Sequence, residues 1–129
     1  MNTVVYRIEG PSGMGPYCDL QCNEILNKYS FGYNAVHHPG PYRDIKNNIG
    51  IAGVPYYACN SIEQLLSWWH NDACNKELEA IGAKIVIYEV PDAFVSTGNK
   101  QVAFIRSKAK KVGTMSISAA EDAMFHACM

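Results

Sequence analysis

A charged pair inside an apolar strand is the first feature of the sequence able to carry chemistry. Residues 3–9 (Thr-Val-Val-Tyr-Arg-Ile-Glu) alternate with a two-residue period, so Arg7 and Glu9 share one face of the predicted strand. A guanidinium on a rigid strand suits recognition of a phosphate-bearing ligand. The alternative is an edge strand whose second face is exposed to solvent, so that both charges are solvated.

Two tyrosines before a predicted helix form a second candidate site. Tyr56 and Tyr57 can stack on a planar ring, and Ser61 lies at the helix amino terminus, where free N–H groups can bind an anion. Helix capping explains Ser61 equally well. At least one of the tyrosines is also expected in the core.

Gln101 closes a predicted turn at residues 97–101 and begins an apolar strand. Its amide offers donors and an acceptor to a ligand but cannot ionise. A plain hairpin turn explains Gly98 and Asn99 equally well.

A histidine-rich loop is the fourth candidate. His37 and His38 precede a rigid Pro-Gly-Pro segment in a predicted loop over residues 31–48. They can shape a substrate lid or donate a proton near neutral pH, or they can be exposed and idle. The length of the loop favours a function.

A short basic run follows the last apolar strand. On a strand, Arg106, Lys108 and Lys110 would share one face, with Lys111 beside them. The positive charge of this run makes nucleic acid a candidate partner, although most runs of this kind are part of the solvated surface.

Around these residues the sequence predicts an α+β fold, with a small mixed or antiparallel sheet and two to four helices. Residues 85–87 are apolar on both faces, which indicates a central strand, and irregular ordering argues against a doubly wound fold. Strands are predicted at 3–9, 54–59, 84–90, 101–106 and 112–117. Helices are predicted at 19–29 and 75–81. Two more begin at capping boxes, one formed by Ser61 and Gln64 and one formed by Ser118 and Glu121, and the latter helix runs to Cys128.

The composition fits a single domain over residues 1–129. Apolar residues make up 48%, charged residues 18%, and the net charge is -1, which excludes disorder and any global field for nucleic acid or membranes. Without a membrane-spanning run or a signal-peptide layout, a cytoplasmic protein is expected. Five cysteines fit a reducing compartment.

No metal is expected. The chain has no CxxC pair, and its candidate zinc ligands lack the spacing of a finger or ribbon. These ligands are Cys18, Cys22, His37, His38, His70 and Cys74.

Three segments together resemble the ADP-ribosyltransferase-like fold: Tyr6-Arg7 in the first strand, residues 56–61 leading into a helix, and residues 101–104 entering a late strand. The resemblance implies that Arg7 anchors NAD, that Tyr56 or Tyr57 with Ser61 supports the nicotinamide ribose, and that Gln101 orients it. Glu9 and His38 are further candidates for contacts with the nucleotide. The catalytic Glu usual in that family is absent at Gln101, so a carboxylate for an oxocarbenium-like transition state is missing.

Short stretches also resemble small uncharacterised proteins of bacterial viruses and prophages, which places the chain in the host cytoplasm. These stretches are residues 6–9, 15–17, 38–41, 88–91 and 100–102. The leading expectation is a protein that binds NAD or a related nucleotide and transfers ADP-ribose to a host macromolecule. The alternative is a non-catalytic inhibitor of a host defence system, acting by blocking a host protein or sequestering a nucleotide. Oligomer formation is compatible with both.

Overall fold

A computed structural model describes residues 1–29, 55–68 and 72–127. The described part is α+β, as predicted. Its strands are β1 (Asn2–Glu9), β2 (Pro55–Ala58), β3 (Lys84–Pro91), β4 (Val95–Thr97), β5 (Val102–Ile105) and β6 (Lys110–Met115). Its helices are α1 (Leu20–Lys28), α2 (Ile62–Leu66), α3 (Asp72–Ala80) and α4 (Ile117–Ala127), with short 3₁₀ turns at Asp92–Phe94 and Arg106–Lys108.

The strands form two antiparallel three-stranded sheets. The first has the order β1-β3-β6 and the second has the order β2-β5-β4. The prediction that β3 is a central strand is confirmed. Tyr6 and Cys59 join the sheets through two backbone hydrogen bonds of 2.8 Å, which form an isolated bridge between β1 and the residue after β2.

The two sheets pack against each other, which buries the second face of β1. Val5 on β1 lies in one apolar cluster with residues from β3 and β5, and the ring centroids of Tyr88 and Phe104 are 5.6 Å apart. Arg7 and Glu9 lie on this face, and each is only 8% exposed. A solvated second face is therefore wrong for β1, because the second sheet covers it.

Helices cover the opposite face of the first sheet. Ile8 and Ile85 point toward them and pack with Leu26 of α1, Leu78 of α3 and Ile117 of α4, all of which are fully buried. The first sheet is thus the middle layer of the described fold, between helices and the second sheet.

Most predicted helix boundaries are close to those observed. Ser61 caps α2, and Gly82 follows α3 with a φ of +95°, the conformation that favours glycine. The predicted cap of the last helix is wrong. Ser116 accepts the N–H of Ala119 at 3.1 Å, whereas the N–H and hydroxyl of Ser118 both donate to Glu79.

The basic run does not form a continuous strand, so the predicted shared face is also wrong. Arg106 and Lys108 lie in a 3₁₀ turn, and only Lys110 and Lys111 belong to β6. The guanidinium of Arg106 instead lies 4.5 Å from the ring centroid of Tyr88.

The carboxylate of Asp19 caps α1 and should make part of the stability depend on pH. It accepts the Ser12 hydroxyl at 2.6 Å and the Cys22 N–H at 3.0 Å, and these hydrogen bonds, that from the Ser12 hydroxyl above all, lower the pKa of Asp19. A lowered pKa in the folded state stabilises the fold above the ordinary pKa of 3.8, and this contribution disappears as the pH falls through the lowered value.

Asp19→Ala should therefore cost about 0.5 to 2 kcal/mol of unfolding free energy at neutral pH, measured by urea unfolding. Asp19→Asn keeps a capping acceptor and loses only the charge. The difference in unfolding free energy between wild type and Asp19→Asn should shrink as the pH falls from 3.8 through the lowered pKa of the folded state. A difference that stays constant over that range would contradict this account.

Candidate functional site

A pocket lies between β1 and the end of β2, beside the Tyr6–Cys59 bridge. Its volume is about 160 Å³. An apolar protein cavity of roughly 150 Å³ holds one benzene ring, so this pocket has room for one planar ring. It is lined by residues 7–8 of β1, 15–18 of the next turn, 57–59 at the end of β2, Leu65 and Trp68 in and after α2, and Gln101 before β5.

The guanidinium of Arg7 is held in place from three sides. Nη1 donates to the carbonyl oxygen of Tyr57 at 3.1 Å, and the ring centroid of Tyr56 lies 4.7 Å from Cζ. Nε is 3.2 Å from Oε2 of Glu9, an ionic contact in which the N–H does not point well enough to form a hydrogen bond. Arg7 is therefore preorganised, with its charge balanced locally.

Glu9 contacts Arg7 through its carboxylate but does not line the pocket. Its Oε2 also accepts the hydroxyl of Tyr88 at 2.6 Å. Burial, together with this hydrogen bond to the Glu9 carboxylate, raises the pKa of Tyr88. Tyr88 therefore stays a neutral donor at physiological pH, and Oε2 of Glu9 contacts both Tyr88 and Arg7.

Aromatic side chains form another part of the pocket wall. Trp68 is 8% exposed, and its Nε1 donates to the carbonyl oxygen of Lys100 at 2.9 Å. The ring of Tyr17 meets it edge-on, with centroids 6.5 Å apart at an interplanar angle of 61°. Since the Lys100 carbonyl precedes Gln101, this hydrogen bond ties the aromatic wall to the entrance of β5.

Gly15 lets the turn after β1 approach the guanidinium. A Cβ at this position would lie 3.1 Å from Nη2 of Arg7 and 3.4 Å from its Cζ. That is tighter than ordinary van der Waals contact, so any side chain here would press on Arg7. The sequence gives only a weak signal for this role, because Gly15 lies among many turn formers.

The structure brings together three of the residues singled out from the sequence. Arg7, Tyr57 and Gln101 all line the pocket, and Gln101 is 7% exposed. Tyr56 lies next to it, against Arg7 and the ring of Phe104. Their roles toward a ligand stay predictions.

Ser61 is not part of the pocket wall. The hydroxyl of Ser61 accepts the N–H of Gln64 at 3.0 Å, and Oε1 of Gln64 accepts the N–H of Asn60 at 2.8 Å. This is the capping interaction that the sequence offers as the alternative for Ser61. His38, with the rest of its loop, lies outside the described residues.

Tyr17 and Trp68 were missed by sequence reasoning. Helical spacing from Ile62, Leu65 and Leu66 selects Trp69, which lies outside the described residues, whereas Trp68 is the tryptophan that lines the pocket. A tyrosine within a turn gives no periodic signal. Only the approach of the turn to α2 makes it part of a site.

The described cysteines differ in their reactivity. Cys18 is exposed at the rim of the pocket, whereas Cys22, Cys59 and Cys74 are buried. Burial raises the pKa of Cys22 to about 12 and that of Cys74 to about 11, so both thiols are protonated at neutral pH. Cys18 is thus the thiol in the described chain most open to an alkylating reagent.

The described residues contain neither a metal-binding cluster nor a membrane-spanning helix. In residues 1–29, 55–68 and 72–127, no group of three or more His, Cys, Asp or Glu side chains is arranged to hold a metal ion. Over the same residues, no helix is both long enough and apolar enough to cross a membrane.

Comparison with known proteins gives one match. A family model described as "Bacteriophage T4 Y00F protein" matches residues 1–118, which is most of the chain. No curated protein and no solved structure matches this chain significantly.

Proposed function

The chain belongs to the bacteriophage T4 Y00F protein family, and we propose that it binds NAD or a related nucleotide in the pocket between β1 and β2. The observation that carries this proposal is a ring-sized cavity lined both by an arginine that its neighbours hold in place and by a tryptophan. Small-molecule sites characteristically combine an apolar lining with a few fixed polar groups.

The volume supports a ring as the part of the ligand that enters. About 160 Å³ accepts one planar ring but not a whole dinucleotide. The nicotinamide ring of NAD would lie against Trp68, with its carboxamide toward the amide of Gln101. The ribose and the phosphates would then extend past Tyr17, whose side chain is 38% exposed at the mouth.

Charge supports the same orientation. Glu9 offsets Arg7, so the inner end of the pocket is nearly neutral and suits an uncharged group better than a phosphate. The Arg7 guanidinium would contribute directed N–H donors to a carbonyl or ribose oxygen, and Glu9 would keep those donors aligned.

Binding without transfer is favoured over ADP-ribosyl transfer. Transfer through an oxocarbenium-like transition state calls for a nearby carboxylate. Of the described residues that line the pocket, none carries a carboxylate, and Glu9 is engaged by Arg7 and Tyr88. A phage protein with these properties would act by sequestering a nucleotide that a host defence system uses.

Calorimetric titration with NAD, nicotinamide mononucleotide and ADP-ribose tests the proposal. NAD and nicotinamide mononucleotide should bind, and ADP-ribose, which lacks the nicotinamide ring, should bind far more weakly. NAD should also slow alkylation of Cys18 by iodoacetamide, measured by peptide mass spectrometry, because Cys18 lies at the rim. Absence of binding by all three compounds would overturn the proposal.

A pair of glycine variants provides the control. Gly15→Ala should weaken NAD binding about tenfold by crowding Arg7, equivalent to about 1.4 kcal/mol. Gly113→Ala, on β6, should leave binding unchanged because its Cβ would make only ordinary contact with Ile87.

A labelling experiment tests for transfer. Incubation of the protein with labelled NAD and host extract should leave no protein modified. Label that Arg7→Ala abolishes would instead establish a transferase.

A further inference from the structure

Among the described strands, β6 is an edge strand of its sheet. β6 is the last strand of the sheet β1-β3-β6, and no strand in residues 1–29, 55–68 and 72–127 pairs with its outer side. A six-residue strand is about 20 Å long. Its outward backbone N–H and C=O groups form a template on which a further strand can add.

A bulge shapes this edge. Ile87 pairs with Gly113 and Tyr88 pairs with Lys111, so Val112 has no partner on β3. Val112 is 49% exposed. The bulge thus presents an apolar side chain in the middle of an otherwise polar edge.

The edge also carries a local positive charge. Lys110 and Lys111 on the strand and Lys108 in the turn before it are exposed, and none of the three forms an ion pair with a carboxylate of the described residues. The chain as a whole has a net charge of -1, so this cluster reflects local placement and not general basicity. Lysines on an edge discourage pairing with neutral strands and favour an acidic one.

We propose that β6 binds an extended acidic segment of a partner protein by adding it to the sheet as a fourth strand. Backbone hydrogen bonds would supply the pairing, the lysines would select acidic side chains, and Val112 would contact an apolar side chain of the partner. The residues of β6 do not line the nucleotide pocket. This inference is therefore independent of the proposed function.

The test uses a fluorescent peptide of about eight residues in which glutamate and threonine alternate, long enough to span the strand. It should bind the full chain, measured by fluorescence anisotropy, and binding should weaken as salt is added. Lys111→Glu should weaken binding about tenfold. Lys84→Glu makes the same charge change at an exposed position at the start of β3 and should leave binding unchanged.

A backbone-methylated version of the peptide separates strand addition from charge attraction. It keeps every glutamate but loses the amide donors, so it should not bind. Equal binding of the methylated peptide, equal loss with Lys84→Glu, or no binding by the unmodified peptide would each overturn the proposal. Tighter binding of oligouridine, or a dimer that Lys111→Glu dissociates, would do so as well.

Discussion

Replacing Arg7 with methionine is expected to lower the free energy of unfolding by about 3 to 5 kcal/mol. Methionine fills similar space, but it leaves the Glu9 carboxylate buried without its counter-charge, and Glu9 is only 8% exposed. Urea unfolding followed by circular dichroism measures the loss. The same variant should lose NAD binding, because the directed donors at the inner end of the pocket are gone.

The double variant Arg7→Met with Glu9→Gln provides the control. It removes both charges, and glutamine can still accept the hydroxyl of Tyr88. We expect it to be more stable than Arg7→Met alone, since no uncompensated charge remains buried. If the second substitution instead adds its own loss to the first, the two side chains are not coupled and the buried-pair account is wrong.

Replacing Trp68 with alanine should have an effect of similar size, about 3 to 5 kcal/mol of unfolding free energy. The indole is 8% exposed and packs within the larger apolar cluster, and its N–H satisfies the carbonyl of Lys100. The substitution also removes one wall of the pocket. Nucleotide binding should therefore be lost even under conditions where the variant is fully folded.

Two comparisons isolate the role of the ring. Trp68→Phe keeps an aromatic wall but loses the hydrogen bond to Lys100, so it should cost about 1 to 3 kcal/mol and retain binding. Leu78→Ala removes side-chain atoms from the same cluster at a position outside the pocket. It should lower the unfolding free energy by about 2 to 5 kcal/mol without changing the affinity for the nucleotide. If Leu78→Ala reduces affinity as much as Trp68→Ala does, Trp68 acts through stability and not through ligand contact.

Much of the fold was predictable because local patterns determine it. The apolar run in β3 indicates burial on both faces, and the capping residues locate the helix starts to within a few residues. The three-residue strand β4 was missed, since Val95–Thr97 is recognisable only by its pairing with β5. Ser118 is the cap predicted for the last helix because Glu121 follows it at capping-box spacing. The structure begins this helix at Ile117, whose burial depends on tertiary packing that no local pattern shows.

The candidate site was predictable only in part, for a related reason. Alternation along β1 puts Arg7 on the same face as Val5, and the second sheet buries that face. The sequence could not show that Glu9 would face Arg7 and Tyr88 instead of the pocket. It also gave no basis for selecting Tyr17 and Trp68, which meet through the approach of two segments distant in the chain.

The pairing of β1 with β3 has a consequence for synthesis on the ribosome. Asn2 pairs with Pro91 and Glu9 pairs with Lys84, so the amino-terminal strand cannot complete its pairing with β3 until the chain has grown past residue 91. At about 5 to 20 residues per second, this delay lasts roughly 4 to 16 seconds. Throughout that interval Val5 and Ile8 are exposed on a nascent chain, and they are the residues that a ribosome-associated chaperone would be expected to shield first.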